Sequence, residues 1–279
     1  TSAGKISIYE DTDDGTNYVA FKAGALSEDI TFTLSGNEIF PIASNTNYFI
    51  GTGTGANIND AVQNIHIGHY AGYNTTSGVG GAWYDGYANI FIGDSAGYSN
   101  TISYENTFVG SNAGFSSTGG TNTFVGAYAG WKNTTGSSNS FLGRYAGLYN
   151  TTGHKNVFVG GEAGFKNTTG VVNTFVGQCA GQHNTTASEN VSIGFEAGRK
   201  TTVGGSNTVM GAYAGHENLT GYNNAFFGIK AGYSNTVSNN SFFGGYAGYT
   251  NTTGESNTFM GYNSGYSNTT ASNNSFKIG

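Results

Sequence analysis

The side chains that could move a proton, attack a carbonyl or hold a metal are few in this chain: five His, one Cys and sixteen acidic residues. His66 and His69 are near neighbours, but no third ligand follows at the spacing a tetrahedral metal site needs. His154, His183 and His216 are scattered along the chain. The turn Glu10-Asp11-Thr12-Asp13-Asp14-Gly15 is rich in oxygen ligands, yet it lacks the twelve-residue loop and closing Glu of an EF-hand and reads as a solvated hairpin. A carboxylate pair for glycoside hydrolysis would have to be assembled from Asp94, Glu105, Glu162, Glu196 and Glu217 across neighbouring chains. Cys179 stands alone, at a repeat position usually filled by Tyr, so it reads as a packed thiol with no disulfide framework around it. Phosphate-binding glycine patterns carry no weight where 47 of 279 residues are Gly. These residues predict no enzyme, no metal and no cofactor.

What must position any side chain here is a repeat. An Asn followed two places on by an apolar residue, or by His66 and Ser192 in two copies, and soon by Gly, occurs at Asn64, Asn89, Asn106, Asn122, Asn139, Asn156, Asn173, Asn190, Asn207, Asn224, Asn240, Asn257 and Asn274. The usual step is 17 residues, with two steps of 16 and one of 25. A typical unit, Asn122 to Ser138, holds two apolar stretches, one at Phe124 and Val125, the other at Tyr128, Ala129 and Trp131. Helical repeats need more than thirty residues, so the spacing predicts a coil of two or three short strands in an all-β, parallel β-solenoid (β-roll) of about thirteen 17-residue coils.

Strand alternation places Asn, Phe and Gly of Asn-Thr-Phe-Val-Gly on one face and Thr and Val on the other. Both faces therefore carry an apolar ladder: Phe91, Phe108, Phe124, Phe141, Phe158, Phe175, Val209, Phe226, Phe242, Phe259 and Phe276 on one, Ile92, Val109, Val125, Leu142, Val159, Val176, Ile193, Met210, Phe227, Phe243 and Met260 on the other. The first ladder is interrupted at Ser192, a weak point that Phe195 would repair by turning inward. The second ladder calls for a further packing surface, in an adjacent layer or a partner chain.

Glycines after each apolar stretch, such as Gly126 and Gly130, fit corners with positive φ or close backbone approach. The spacing is not collagen's, Pro occurs once, and 14% aromatic against 9% charged residues is the reverse of a disordered composition. Asn-Thr-Thr recurs at Asn74, Asn133, Asn150, Asn167, Asn184, Asn251 and Asn268, with Asn218-Leu-Thr as a variant. Stacked Asn side chains can bond along such a ladder. The triplets, and Asn190-Val-Ser, also match the N-glycosylation acceptor pattern. The fixed place in the repeat favours turn chemistry; glycans there would project from one edge.

Residues 1–60 do not share the period in this reading. Short alternating stretches at 5–9, 18–21 and 30–34, Phe40-Pro41 and the Gly/Thr run 51–55 suggest a small N-terminal β segment and linker that caps a solenoid at 61–279. A formal net charge of −6 excludes nucleic acid as an expected partner. No run long enough to insert in a membrane is present, and the low charge and many hydroxyls point to an extracellular, cell-surface or virion-fibre setting.

The unit seen as Asn190-Val-Ser-Ile-Gly-Phe-Glu-Ala-Gly resembles the head repeats of trimeric autotransporter adhesins of the YadA type and related phage tail-fibre segments. The resemblance covers 61–279 and implies left-handed β-roll coils of two strands each, three chains packed about one axis as a homotrimer, and a structural or adhesive fibre. The expected function is surface attachment or a rigid stalk about 60 Å long. The alternative is a carbohydrate-binding module that uses the aromatics of the second half of each coil: Tyr73, Tyr98, Phe115, Trp131, Phe165, Tyr233, Tyr249 and Tyr266 as possible glycan contacts. Ice binding by the Thr pairs is a remote third reading, since their register drifts at Glu105, Ser116 and Val237.

Overall fold

The repeat does form a solenoid. The structure, a computed structural model, describes residues 47–57, 63–76, 85–269 and 274–279. The expected N-terminal strands and the acidic turn at 10–15 lie outside the described residues. Fourteen three-residue strands, from β1 (Tyr48–Ile50) to β14 (Phe276–Ile278), form one parallel sheet in strict chain order. Each described coil contributes one strand, the three residues after its anchor Asn, or after Ser275 in the last coil.

Two expectations change at this level. The second apolar stretch is not a strand. In each coil it runs through consecutive turns, because the residue six after the anchor, such as Tyr128 (φ 58°), and the Gly two further on, Gly130 (φ 58°), are both left-handed. Its backbone still bonds from coil to coil, with Tyr128 N–H donating to Ser111 O (2.9 Å) and Gly130 N–H to Ala146 O (3.0 Å). The second change is at the start. β1 pairs in register with β2 (Ile65–Ile67), so a further coil begins at Asn47, 17 residues before Asn64. The run 51–55 is not a linker; it turns within that coil, where Gly55 N–H bonds Ala71 O at 3.1 Å.

The inward face carries the core. Phe91, Phe108, Phe124, Phe141, Phe158 and Phe175 are sealed from solvent and stack with centroids 4.7–5.0 Å apart, each beside a buried Ala. Two glycines per coil make this possible. A Cβ at Gly130 would stand 2.5 Å from the Phe124 ring, and one at Gly126 would meet the Gly143 carbonyl at 2.6 Å. Glycine is thus required both for the left-handed backbone and for the approach of ring and neighbouring coil.

The anchor Asn residues from Asn64 to Asn257 are buried beside the Phe ladder, and all but Asn106 and Asn257, whose Nδ2 atoms lack a partner, use both the oxygen and the nitrogen of the carboxamide. Asn139 N–H donates to Asn122 Oδ1 (2.9 Å), while Asn122 Nδ2 donates to Gly136 O (2.9 Å) at the far corner of its own coil. Each such carboxamide therefore fixes the register to one neighbour and closes the turn, at a net contribution of about 1 kcal/mol per bond. The Asn-Thr-Thr corners form a second column. Asn150 Nδ2 donates to Asn133 Oδ1 and Asn167 Nδ2 to Asn150 Oδ1, each at 2.7 Å. Asn133, Asn150, Asn167, Asn184 and Asn251 are fully buried, with their amide nitrogens bonded within the solenoid, as turn chemistry requires.

The ladder breaks at β9 (Val191–Ile193). Phe195 does not turn inward; it is 39% exposed and meets Tyr213 edge-on, because it sits at the corner after the strand rather than on its inner face. Ser192 and Val209 fill the core positions, and the core divides into one cluster ending at Ala180 and another beginning at Ala197. The last coil also departs from the expected register. Ser275, not Asn274, takes the anchor bond to Asn257 Oδ1 (2.8 Å), so Phe276 falls on the outer face and Lys277 lies over the Phe259 ring at 5.3 Å. The cause is an 18-residue step where the sequence reading took 17.

Candidate functional site

Function on a rod of this kind must be sought in the columns of side chains on its outside. Two columns stand out, and each follows from a fixed offset to the anchor Asn.

The residue three after each anchor points outward from the sheet. Ile50 (64% exposed), Leu142 (51%) and Met260 (44%) are its most open members before the last strand, and Ile92, Met210 and Phe243 are also exposed. The second apolar ladder is thus an external one, continuous across the sheet.

The residue nine after each anchor forms an aromatic column. Tyr73 stacks on Tyr98 (5.2 Å, 4°) and Tyr98 on Phe115 (5.0 Å, 6°); further along, Tyr233 stacks on Tyr249 (5.1 Å, 17°) and Tyr249 on Tyr266 (5.0 Å, 5°). All the candidate glycan-contacting rings belong to this column. Tyr98, Tyr233 and Tyr249 have a ring on both faces, the other face of Tyr233 being taken by His216 at 5.0 Å. Trp131 meets Phe115 tilted, with the Lys132 ammonium 5.4 Å from its ring. Phe165 stands edge-on to Tyr149. Most of these rings are half-buried and offer solvent an edge; Tyr266 is the most open at 40%.

Where Gln182, Arg199 and His216 replace aromatics in this column, a charged network forms that sequence spacing did not reveal. His216, 5% exposed, bridges Glu196 Oε2 (3.0 Å) and Glu217 Oε1 (2.8 Å). Arg199 bonds Gln182 Oε1 (2.8 Å) and Glu196 Oε2 (3.2 Å), and Lys200 bonds Glu217 Oε2 (2.8 Å). Burial opposes ionisation of Glu217, but the bonds from Lys200 and His216 outweigh it and hold the carboxyl below its usual range. Burial pushes the nearby Cys179 thiol up, with the Glu162 carboxylate adding to it, so it is not an activated nucleophile. The only signal in the sequence was polarity at three successive aromatic positions.

The two neighbouring histidines part company. His69 bonds Asp94 (3.0 Å) at the surface, whereas His66 takes a place in the core ladder between Phe49 (5.0 Å) and Phe91 (4.8 Å). Both His66 nitrogens are buried without a bonding partner, and burial lowers the imidazole to about 3. Among the described residues no group of three or more His, Cys, Asp or Glu is placed to hold a metal.

No family model matches the chain, and no curated protein or solved structure does either. The fold stands on its own physics: a repetitive β-solenoid scaffold of the kind typical of structural and fibrous proteins.

Proposed function

We propose that this chain is a non-catalytic structural or adhesive fibre segment, assembled as a homotrimer and displayed on an extracellular, cell-surface or virion structure. The observation that carries the reading is the outward apolar ladder from Ile50 to Met260, which lies on the opposite face from a Phe ladder that is already sealed. At sheet spacing it forms a strip about 60 Å long, on the order of 600 Å², above the few hundred Å² usual on a soluble monomer. A copy of the same chain offers the same ladder at the same period, so closed symmetry covers the whole strip at once. The resemblance of the repeat to YadA-type head repeats supports the same arrangement. The test is to place a charge in the strip: Leu142→Asp should dissociate the assembly in light scattering while leaving the circular-dichroism spectrum of the coil intact. A Leu142→Asp particle of unchanged mass would remove the strip from the interface.

A second reading, a carbohydrate-binding module, draws on the exposure of Tyr266. Tyr266→Ala should then weaken retention on a polysaccharide column, and unchanged retention would discard it.

A further inference from the structure

The chain carries ten Lys and Arg against sixteen Asp and Glu, and its cations are not spread evenly. The residue ten after the anchor is Lys132, Tyr149, Lys166, His183 and Lys200 on five successive coils. Their backbone N–H groups bond the next coil in register, Tyr149 to Phe165 O (3.0 Å), Lys166 to Gln182 O (2.9 Å) and His183 to Arg199 O (2.9 Å). The column is therefore straight, with a step of about 4.8 Å.

Tyr149 does not interrupt the charge, because the Lys132 ammonium reaches over its ring at 4.7 Å. Lys166 is exposed. Lys200 closes the column against Glu217. The neighbouring carboxylates are engaged by other groups, Glu162 by Gln182 and Glu196 by Arg199 and His216. His183 is lowered by burial and then by Lys166, Arg199, Lys200 and His216, so it adds no charge to the column at neutral pH. Among the described residues Lys132 and Lys166, two coils apart, are thus the cations of the column without a carboxylate partner, on a chain of negative net charge.

We propose that this column is a track for an acidic polysaccharide, whose carboxylate or sulfate groups sit on Lys132 and Lys166, with His183 donating a neutral hydrogen bond between Lys166 and the Lys200–Glu217 pair. The proposal deepens the adhesive half of the reading above and is independent of the trimer. A sugar residue in an extended chain is about as long as one coil is thick, so the anionic groups of every second sugar recur in step with Lys132 and Lys166, which stand two coils apart. Duplex DNA presents phosphates about every 3.4 Å along each strand and falls out of register. Single strands gain affinity by stacking bases on aromatic faces, and beside this column Trp131 is capped by Lys132 while Phe165 is met edge-on by Tyr145 and Tyr149.

The test is titration of the full chain with a sulfated glycosaminoglycan oligosaccharide, a polyuronate oligosaccharide, dextran and oligo-dT, at low and high salt. Both acidic glycans should bind, dextran should not, and binding should weaken steeply with salt. Lys166→Gln should weaken it roughly tenfold. The Lys132→Gln/Lys166→Gln variant should abolish it with the melting temperature nearly unchanged. Lys155→Gln, on the column that precedes the anchor, should have no effect. No binding of either acidic glycan at low salt, an equal loss in Lys155→Gln, or tighter binding of oligo-dT would each overturn the proposal. A three-chain particle that ignores glycans would sink the track alone; a single-chain particle that binds them would sink the trimer alone.

Discussion

From Phe124 to Phe175 the Phe ladder and the anchor and corner Asn columns are unbroken, whereas in the coil from Asn190 to Ser206 three columns fail together. Ser192 stands in the Phe ladder, Arg199 in the aromatic column and Thr201 in the corner Asn column, where Asn184 Oδ1 is left without a partner. Yet the backbone passes through undisturbed. The anchor bonds continue at their usual length, Asn190 N–H to Asn173 Oδ1 (3.0 Å), Asn207 to Asn190 (2.9 Å) and Asn224 to Asn207 (3.0 Å). The comparison separates two jobs. The anchor Asn column, with the left-handed glycines, sets the register, and the Phe ladder supplies the burial that stabilises it. Where burial is missing, the outer face gains a network of ions instead, which is where the molecule departs from pure repetition.

The sharpest way to break that comparison is to remove burial from the regular stretch. Phe158→Ala should cost about 3–5 kcal/mol, read as a lowered denaturant midpoint, since the rings on both sides leave no slack to collapse. A neutral result would mean that the Phe ladder is not the core.

The polar intrusion at His66 comes next. Its folded-state value of about 3 lies below the unfolded 6.5, so the unfolded chain takes up the proton first and stability falls as the pH drops from 6.5 towards 3. His66→Phe should therefore gain about 3 kcal/mol at pH 4 over its effect at pH 7, measured by denaturation at the two values. Equal effects at both would show that the imidazole is not buried neutral.

Repairing the irregular coil should give a smaller effect. Gly198 keeps the ring slot open beside Ser192, as Gly130 does beside Phe124. Ser192→Phe should then stabilise by about 2 kcal/mol. Destabilisation would mean that Val209 has already closed the slot. Smallest of all, Thr152→Ala at an outward corner should change stability by less than about 0.5 kcal/mol in thermal unfolding.

Much of this was legible in the sequence, because the period is carried by residues with one structural meaning each. Phe two after Asn had to share its face, and Gly126 and Gly130 marked corners. The parts that were not legible depend on conformation or on distance. Non-Gly residues such as Tyr128 and Cys179 adopt the left-handed region that composition assigns to Gly, which turned an expected second strand into turns. Asn47-Tyr-Phe-Ile-Gly fits the motif, but the Gly/Thr run after it read as a linker. His216 and Glu196 are twenty residues apart and meet only because the coils stack. His66 looked like half of a ligand pair when its alternation in Ile65-His66-Ile67 already placed it inward.

The central claim is that one ladder is sealed within the chain and the other is covered by copies of it. The absolute mass of the native particle, by light scattering after size exclusion, tests this most directly. The account predicts three chains of 28.9 kDa each. A stable, soluble particle of a single chain, with Leu142 and Met260 in water, would contradict it.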